Sequence, residues 1–404
     1  MRLLLPSGPA HLTYCTNVHR GESWPDIFAA LRRHLPEVKR RASPQAPMGV
    51  GLRLSAVAAE ALDAPDALEA LREFLASEQL YVFTINGFPY GPFHGERVKE
   101  QVYAPDWRTP ERLAYTDRLA GLLAALLSDD QPSLTGSVST VPGAFRASAT
   151  TDAREAIAEA LLRHAAHLAA LEDRTGRRIA LALEPEPMCL METTAEAVGF
   201  FEEFLFTAEA AARFAALSGR APAAAERLLR RHLGLCLDVC HAAVEFEAPA
   251  DSLAVLRRAG VAVMKLQLSS ALAVPRMDPA AAELLRRFDD GVYLHQVVEQ
   301  GADGLTRYLD LPEALAAWHG GGAPGQEWRV HCHVPVFHDA PLGHFATTQP
   351  TLLDMLARQR DDGISPHLEV ETYTWDVLPP ELRAGGLDAA VARELAWVRD
   401  RLAA

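Results

Sequence analysis

The chain has 404 residues, and its 39 Lys and Arg against 53 Asp and Glu leave a formal net charge of −14 at pH 7. Its residues are 49% hydrophobic and 23% charged, which is the balance of a globular protein with enough apolar material for a large core. A chain this acidic is a poor binder of phosphate backbones, so nucleic acid is not expected as its partner.

The cysteines and the N-terminus indicate the compartment. The five cysteines are odd in number and show no Cys-x-x-Cys spacing, so they predict no disulfide framework and suit a reducing environment. The first residues reach Pro6 before an apolar region of signal-peptide length can form, and no window approaches 18 uninterrupted apolar residues. We therefore expect a cytoplasmic protein without a membrane span, and the sequence leaves open whether it forms an oligomer.

Short β-rich runs alternate along the chain with long Ala-, Leu- and Arg-rich stretches of helical period, which predicts βα units around a parallel sheet. The predicted strands, in chain order, are residues 12–17, 49–54, 80–86, 134–140, 179–183, 233–237, 261–266 and 368–370. The first predicted helix covers 24–34, with Ser23 as its N-cap and Pro25 in its first turn, and the longest covers 152–173. Eight strands with intervening helices predict an α/β fold, a (β/α)8 TIM barrel.

One stretch does not fit the simple alternation. Between the seventh and eighth strands, residues 270–350 hold another β-like run at 328–337 and a short pair of runs near 291–309. We interpret 270–350 as an elaborated insertion over the C-terminal face of the barrel, within a single domain that spans 1–404. The alternative is a separate small domain.

Polar side chains stand where four of the predicted strands end. These are Glu184, Asp238, Gln267 and Glu371, and in a barrel the carboxyl ends of the strands carry the catalytic groups. For each residue the alternative is an ordinary helix cap. Two carboxylates, an amide and a further carboxylate suit an octahedral divalent ion such as Mn²⁺ or Mg²⁺, and added imidazoles suit Zn²⁺. The sequence therefore predicts a divalent metal site.

Three histidines are candidates to join this site. His241 lies three residues after Asp238 in the turn that leaves the sixth strand, so both can point into one cavity. His331 and His333 share one side of an extended strand because alternate residues face the same way. The alternatives are that Asp238 caps the next helix while His241 packs, and that His331 and His333 lie at the surface or behind the ligands.

The run Glu184-Pro185-Glu186-Pro187 predicts a stiff, extended backbone in which Glu184 and Glu186 both face the cavity. Paired carboxylates about a metal are what proton transfer beside a carbonyl requires, since one group removes a proton and another returns it. The candidate catalytic residues are Glu184, Glu186, His241 and Glu371.

Loops after several strands supply candidates for binding a small polyol. They are polar, rich in Gly and Pro and contain aromatic residues, and ordinary turn chemistry is the alternative for each. The candidate substrate-binding residues are Asn17, His19, Asn86, His94, Ser139 and Tyr373. The sequence contains no Gly-rich dinucleotide fingerprint, P-loop or Gly-x-Ser-x-Gly motif.

Across residues 12–375 these motifs resemble the xylose isomerase-like TIM-barrel superfamily, which includes sugar-phosphate isomerases, epimerases and endonuclease IV. Residues 183–187 are similar to the Glu-Pro-Lys-Pro of xylose isomerase, with Glu186 in place of the Lys, and 238–241 resemble the family's Asp-x-x-His. The resemblance implies that Glu184 and Glu371 bind metal and that Gln267 takes the position seen in hydroxypyruvate isomerases.

Two further resemblances bear on function. His331 and His333 occupy the positions of the Asp-x-His of the endonuclease IV zinc cluster, whereas Asn86 and Ser139 stand where that family has its earlier His ligands. Residues 11–19 and 371–375 resemble the metabolite-traffic proteins of Ebo gene clusters, which implies service to a small polar metabolite such as a sugar or cyclitol.

The leading hypothesis is a divalent-metal-dependent isomerase or epimerase of a sugar-like or cyclitol metabolite. In it Glu184, Asp238, Gln267 and Glu371 hold the ion, while a carboxylate serves as the base and His241 and His333 orient or protonate the substrate. The alternatives are a metal-dependent phosphodiesterase of the endonuclease IV type and a non-catalytic metabolite carrier.

Overall fold

The computed structural model describes residues 1–94, 97–128, 131, 133–322, 324–340 and 343–403. The strands are β1 Arg2–Leu5, β2 Gly8–Tyr14, β3 Met48–Arg53, β4 Leu80–Asn86, β5 Gly136–Thr140, β6 Ile179–Leu183, β7 Leu233–Asp238, β8 Val263–Leu268, β9 Ala271–Val274, β10 Val297–Gly301, β11 Gly304–Tyr308, β12 Glu327–His333, β13 Ala346–Thr347 and β14 His367–Val370. The α-helices are α1 Trp24–Ala42, α2 Ala56–Ala61, α3 Pro65–Ser77, α4 Pro110–Leu126, α5 Thr151–Thr175, α6 Thr194–Phe200, α7 Ala208–Ser218, α8 Pro222–His232, α9 Val239–Val244, α10 Pro249–Ala259, α11 Pro279–Leu285, α12 Leu311–His319, α13 Gln349–Asp362 and α14 Leu387–Ala403.

Parallel strands with helices between them form a barrel. The hydrogen-bonded order is β2-β14-β8-β7-β6-β5-β4-β3, and a parallel bridge between Cys15 and Gly51 joins the two ends of this order. Strands β4 to β7 are buried along their whole length, as expected for strands covered on both faces. The predicted (β/α)8 TIM barrel is confirmed.

The first barrel strand differs from the prediction at its start. Strand β2 begins at Gly8, earlier than the predicted residue 12, because its first half pairs with the unpredicted strand β1. The pairing is antiparallel, with Leu5 opposite Gly8 across a tight turn. Such a short, half-exposed strand has too few residues for a period to be read, so only its pairing reveals it.

The first helix begins where the sequence predicts. The Ser23 hydroxyl caps α1 by accepting a hydrogen bond from the backbone N–H of Asp26 at 3.4 Å, and Pro25 lies in the first turn. The helix continues to Ala42, beyond the predicted residue 34, because Val38 and Ala42 remain buried against the barrel. Tertiary burial therefore extends the helix past its sequence-based end.

The segment between β8 and β14 forms an additional antiparallel sheet in the order β11-β10-β12-β9-β13, with α11 and α12 packed on it. The hairpin β10–β11 corresponds to the short pair of runs near 291–309. Strand β12 ends at His333 rather than at 337, and the following Val334 N–H bonds to Ser270 O instead of a sheet neighbour.

The additional sheet has a hydrophobic cluster of its own, with Trp328 and Phe288 among its buried members. Other residues of the insertion reach the carboxyl ends of the barrel strands, where Tyr293, Leu294 and His331 line the cavity described below. We propose that it belongs to one domain over 1–404, with 270–350 as an insertion over the C-terminal face. Among the described residues, no helix combines the length and apolar content that crossing a bilayer requires.

Candidate metal centre

Three carboxylates converge at the carboxyl ends of the barrel strands. Glu184 follows β6, Asp238 ends β7 and Glu371 follows β14, and one oxygen of each lies within 4.8 Å of the others. All three side chains are buried. Glu184 Oε2 and Asp238 Oδ2 find no hydrogen-bond donor among the described residues. Burying unpaired carboxylate oxygens is costly unless a cation or donor compensates, so the arrangement fits a bound metal ion.

Gln267 lies beside Asp238 in the register of β7 and β8. Its side chain is fully buried, and both its Oε1 and Nε2 lack a hydrogen-bond partner within the described part of the chain. An amide oxygen at this place is a further candidate ligand, as predicted from the strand ends.

Asp238 combines the two roles that the sequence left open. Its Oδ1 caps α9 by accepting the His241 N–H at 3.0 Å, and it also accepts the Ser269 hydroxyl at 2.7 Å. Its Oδ2 stays free of protein donors among the described residues. One oxygen therefore caps the helix while the other is available to a metal.

Three imidazoles are oriented by acceptors behind them. The Nδ1 atoms of His241, His331 and His333 lie 2.9 Å from Pro185 O, 2.7 Å from Gln296 Oε1 and 2.9 Å from Glu371 O. Because a carbonyl oxygen accepts hydrogen bonds, Nδ1 carries a proton in each ring, and Nε2 keeps its lone pair wherever the ring is neutral. This is the tautomer that a metal ligand needs.

The imidazoles meet the carboxylates in groups of metal-ligand spacing. One group is Asp238, His241 and His333, and a second is Glu186, His241 and His331, with ligand atoms within 4.8 Å of one another. The Nε2 atoms of His331 and His333 have no partner among the described residues. The alternative that these two histidines lie at the surface is excluded, since both are buried.

Glu186 is tied to the imidazoles by two residues that the sequence analysis did not single out. The Tyr103 hydroxyl donates to Glu186 Oε1 at 2.8 Å, and Gln296 Nε2 donates to the Tyr103 oxygen at 2.9 Å. The other end of the Gln296 amide accepts from His331, as described above. Both residues lie outside the predicted strand ends, so no sequence pattern marks them.

Two predicted substrate-binding residues hold Glu371. The side-chain amides of Asn17 and Asn86 donate to Glu371 Oε1 at 2.7 and 3.0 Å. Both asparagines also line the cavity above the carboxylates. They orient the carboxylate and remain within reach of a bound molecule.

The clustered carboxylates affect each other's protonation. Burial raises the pKa of Glu184 to about 8, and burial together with Glu184 and Asp238 raises the pKa of Glu371 well above its ordinary value. Burial opposes ionisation of Asp238 too, but the imidazoles of His241 and His333 hold the pKa of Asp238 below its ordinary value. A bound cation favours the ionised form of all three carboxylates.

Burial and neighbouring charges also shift the pKa values of the imidazoles and of Glu186. Burial lowers the pKa of His333 to about 4, and burial with the nearby His241 lowers the pKa of His331. Burial also opposes protonation of His241, but Asp238 and Glu186 raise the pKa of His241 above its ordinary value. Burial raises the pKa of Glu186. The site thus favours neutral imidazoles at His331 and His333, next to His241, whose pKa is raised.

A buried ion pair lies beneath the carboxylates. Lys265 Nζ is 2.6 Å from Glu369 Oε1, and neither side chain is exposed. The ammonium is also 3.3 Å from the hydroxyl of Ser139, which faces this layer rather than the cavity. A sequence pattern could have predicted the pair. Lys265 and Glu369 precede Gln267 and Glu371 by two residues, and alternate residues of a strand face the same side, here the inside of the barrel.

A cavity opens above the carboxylates. The predicted site residues that line it are Asn17, Asn86, Glu184, Glu186, His241, His331, Glu371 and Tyr373. The Tyr373 ring also lies 4.7 Å from that of His333.

Three predicted substrate-binding residues are placed elsewhere. His19 Nε2 lies 2.8 Å from the Tyr14 hydroxyl and its ring stacks on His34 at 4.3 Å, because the turn after β2 directs it toward α1. The His94 side chain also lies outside the cavity lining, next to the Phe93 ring. Ser139 faces the Lys265 layer. Loop and strand geometry turn these three side chains away from the cavity lining, and their part in substrate binding stays a prediction.

Comparison with known proteins bears on the fold. No protein-family model and no curated protein sequence matches the chain. Similar solved structures include a xylose isomerase-like TIM barrel protein from Mycobacterium smegmatis in complex with magnesium, 12% identical, with a TM-score of 0.51 over 97% of this chain and 96% of that chain. The likeness shows the fold of this chain, an α/β TIM barrel.

Two other solved structures are less similar in shape. One is the IolI protein with a bound zinc atom, 13% identical, with a TM-score of 0.44 over 97% of this chain and 98% of that chain. The other is an AP endonuclease of family 2 from Brucella melitensis, 13% identical, with a TM-score of 0.34 over 64% of this chain and 78% of that chain. The resemblance to Ebo-cluster proteins stays a prediction.

Proposed function

We propose that the protein is a divalent-metal-dependent isomerase or epimerase that moves a proton at a carbon next to a carbonyl in a small sugar-like or cyclitol metabolite. The supporting observation is the convergence of buried ligand atoms that have no protein partner among the described residues. Glu184 Oε2, Asp238 Oδ2 and the Nε2 atoms of His331 and His333 all belong to this set. Each such atom costs about 1–3 kcal/mol when it stays unpaired, and a cation removes that cost.

The donor set fits a divalent ion. Glu184, Asp238, Gln267 and Glu371 offer oxygens, the donors that Mg²⁺ and Mn²⁺ prefer, and the adjacent imidazoles offer the nitrogens that Zn²⁺ prefers. When bound, such an ion polarises the substrate carbonyl and stabilises negative charge on its oxygen.

The residues around the ion divide the proton transfer. Glu371, oriented by Asn17 and Asn86, or Glu184 removes the proton from carbon. On the imidazole side, Asp238 and Glu186 raise the pKa of His241 above its ordinary value, and His241 is the proposed proton donor. Glu186, kept in place by Tyr103, lies next to it. An enzyme that removes a proton and returns it needs two groups with different pKa values, one on each side of the substrate.

Metal content tests the premise. Elemental analysis of the purified protein should find about one ion per chain or more, and Glu184→Gln should lose it, because a neutral amide is a weaker ligand. Glu247→Gln is the matched control, since the Glu247 carboxylate is engaged by Thr194 at 3.0 and 3.1 Å and belongs to none of the metal-ligand groups. No ion in the wild type after supplementation would contradict the proposal.

The reaction itself is tested by solvent exchange. Metal-loaded protein should incorporate deuterium from D2O at a carbon-bound position of a polyol or ketose that it binds, and a chelator should abolish the exchange. Tight binding without any exchange would sink the isomerase proposal and favour a metabolite carrier.

A metal-dependent phosphodiesterase is the second candidate, favoured by the imidazole cluster of His241, His331 and His333 beside the carboxylates. Such an enzyme needs two or three ions and a basic groove, and the net charge of −14 disfavours a DNA substrate. Metal-dependent nicking of abasic DNA would shift the assignment to this activity.

A further inference from the structure

The cavity above the carboxylates has two chemically different halves. Its floor is polar and is lined by Glu184, Glu186, Glu371, His241, His331 and the amides of Asn17 and Asn86. Its upper wall is formed by Phe88, Phe93, Val98, Val102, Tyr293 and Leu294. Sugars bind through many hydrogen bonds along their whole length, so a wall of this composition is unsuited to a second row of hydroxyl groups.

Tyr103 and Tyr293 contribute rings rather than free hydroxyls to the cavity. The Tyr293 hydroxyl donates to Phe93 O at 3.0 Å, and the Tyr103 hydroxyl is engaged by Glu186 and Gln296. The rings of Phe93, Tyr293 and Tyr373 pack against one another with centroids 5.2 to 5.4 Å apart. An apolar group that enters the cavity therefore meets ring faces and aliphatic side chains.

The described residues of the wall also include no free cation for a phosphate. Among the described residues that line the cavity, Lys99 is the one with a fixed positive charge, and its ammonium is paired with the carboxylate of Asp310. Phosphate recognition ordinarily uses unpaired Arg or Lys side chains. The phosphate of a phosphorylated sugar would lie against aromatic rings and near the carboxylate of Asp310, where its negative charge is not compensated.

We propose that the substrate is an unphosphorylated α-hydroxycarbonyl compound, sugar-like at its hydroxycarbonyl end, that carries an aromatic or branched aliphatic group at its other end. The inference rests on the proposed function, because the floor of the cavity positions the hydroxycarbonyl end at the metal centre. The apolar group lies against Phe88, Phe93 and Val98 and leaves water when it binds. The wall thus determines which hydroxycarbonyl compounds the site accepts.

The reaction balances without a further reactant. In a ketol of the form R–CO–CH2OH, one proton leaves the hydroxymethyl carbon and one returns to the former carbonyl carbon, while the hydroxyl proton moves to the other oxygen. The product is R–CHOH–CHO. One carbon is oxidised and its neighbour is reduced, so no external oxidant or reductant is needed.

Calorimetric titration of the metal-loaded protein tests the inference with three probes. We expect 2-hydroxyacetophenone to bind at least about 10-fold more tightly than dihydroxyacetone, because its phenyl group is buried against the wall. Dihydroxyacetone phosphate should bind no more tightly than dihydroxyacetone. Acetophenone, which lacks the hydroxyl, should bind more weakly than 2-hydroxyacetophenone, since two oxygens reach the floor.

A pair of variants separates the wall from nonspecific adsorption. Val98→Thr places a hydroxyl in the wall at nearly constant volume and should weaken 2-hydroxyacetophenone binding several-fold and dihydroxyacetone binding by a smaller factor. Val57→Thr is the control, because Val57 is 57% exposed on α2. Equal effects of the two substitutions would contradict the inference.

Several outcomes overturn the assigned class: no binding of 2-hydroxyacetophenone, equal binding of the aryl ketol and dihydroxyacetone, or tighter binding of the phosphate. Deuterium exchange measured on the same complexes keeps the two proposals apart. Aryl-selective binding without deuterium exchange would contradict the isomerase function and still support the proposed ligand class. Deuterium exchange into dihydroxyacetone without aryl selectivity would contradict the proposed substrate class and still support the isomerase function.

Discussion

Single atoms decide which histidine nitrogen faces the metal site. His331 presents Nε2 because its Nδ1 is held at 2.7 Å by Gln296 Oε1, and the same amide bonds to Tyr103 through Nε2. One glutamine thus orients both a candidate ligand and, through Tyr103, the carboxylate of Glu186. Residues behind the ligands of a metal commonly influence affinity in this way.

The substitution Gln296→Ala should lower metal affinity by about 10- to 100-fold, since the His331 ring loses the acceptor that fixes its tautomer and orientation. Competition titration with a fluorescent chelator measures the change. Gln359→Ala is the matched control, because Gln359 is a buried glutamine whose amide bonds Ser365 in a turn outside the cavity. Unchanged affinity in Gln296→Ala would show that the orientation does not matter for binding.

The pair of Lys265 and Glu369 is a second residue-scale feature, because both charges are completely buried. Removing one partner leaves the other charge without compensation, so Lys265→Met should destabilise the fold by about 3–5 kcal/mol. The double variant Lys265→Met, Glu369→Gln should recover part of this loss because no buried charge remains. Urea unfolding of the three proteins measures both effects, and equal stability of the two variants would contradict this explanation.

At the scale of elements, the barrel closes where β2 meets β3. A Cβ atom at Gly51 would lie 1.7 Å from Glu369 Oε2 and 2.8 Å from Tyr14 O. The second contact is with backbone, which a side-chain rotation cannot relieve. A glycine therefore allows the strands to approach and Cys15 to form its bridge with Gly51.

Gly51→Ala should accordingly destabilise the protein by at least about 2 kcal/mol, since the closing strands must separate. In α4, Gly121 has no atom within 4 Å of an added Cβ, so Gly121→Ala should stabilise by about 0.5–1 kcal/mol through helix propensity. Thermal unfolding of both variants provides the comparison. A Gly51→Ala protein as stable as the wild type would show that the closure tolerates a side chain.

At the scale of the whole molecule, Glu394 joins three parts of the chain. From α14 its Oε1 accepts the Thr372 hydroxyl at 2.7 Å and the Val336 N–H at 3.1 Å, so it links the segments after β14 and β12. Burial raises the pKa of Glu394 from 4.5 to about 7. The folded protein therefore holds this proton at pH values where the unfolded chain releases it.

This difference makes stability depend on pH. Between about pH 4.5 and 7 the folded state binds more protons than the unfolded state, so the contribution of Glu394 is present at low pH and is lost as pH rises. In the wild type, Glu394 should lower the free energy of unfolding by an amount on the order of 3 kcal/mol as the pH rises from 5 to 8. The neutral variant Glu394→Gln should not show this decrease. Urea unfolding at both pH values, with chelator present, tests this, and identical pH slopes for wild type and variant would refute it.

The sequence by itself determined the barrel and placed carboxylates at the carboxyl ends of three of its strands. Apolar runs separated by helical periods are local patterns, so the eight strands and the carboxylates of Glu184, Asp238 and Glu371 could be predicted from them. The alternation of side chains along β12 likewise placed His331 and His333 on one side. These features depend on neighbours in sequence, and local steric preferences suffice to specify them.

Only the tertiary structure decided what surrounds those ligands. Tyr103 and Gln296 contact Glu186 and His331 from loops whose sequence carries no period, and barrel closure with the inserted sheet brings them together. The same holds for His19, which a turn directs toward α1 instead of the cavity. Contacts between residues on different elements of the chain follow from packing rather than from local preference, which is why the apolar wall became visible only in the folded chain.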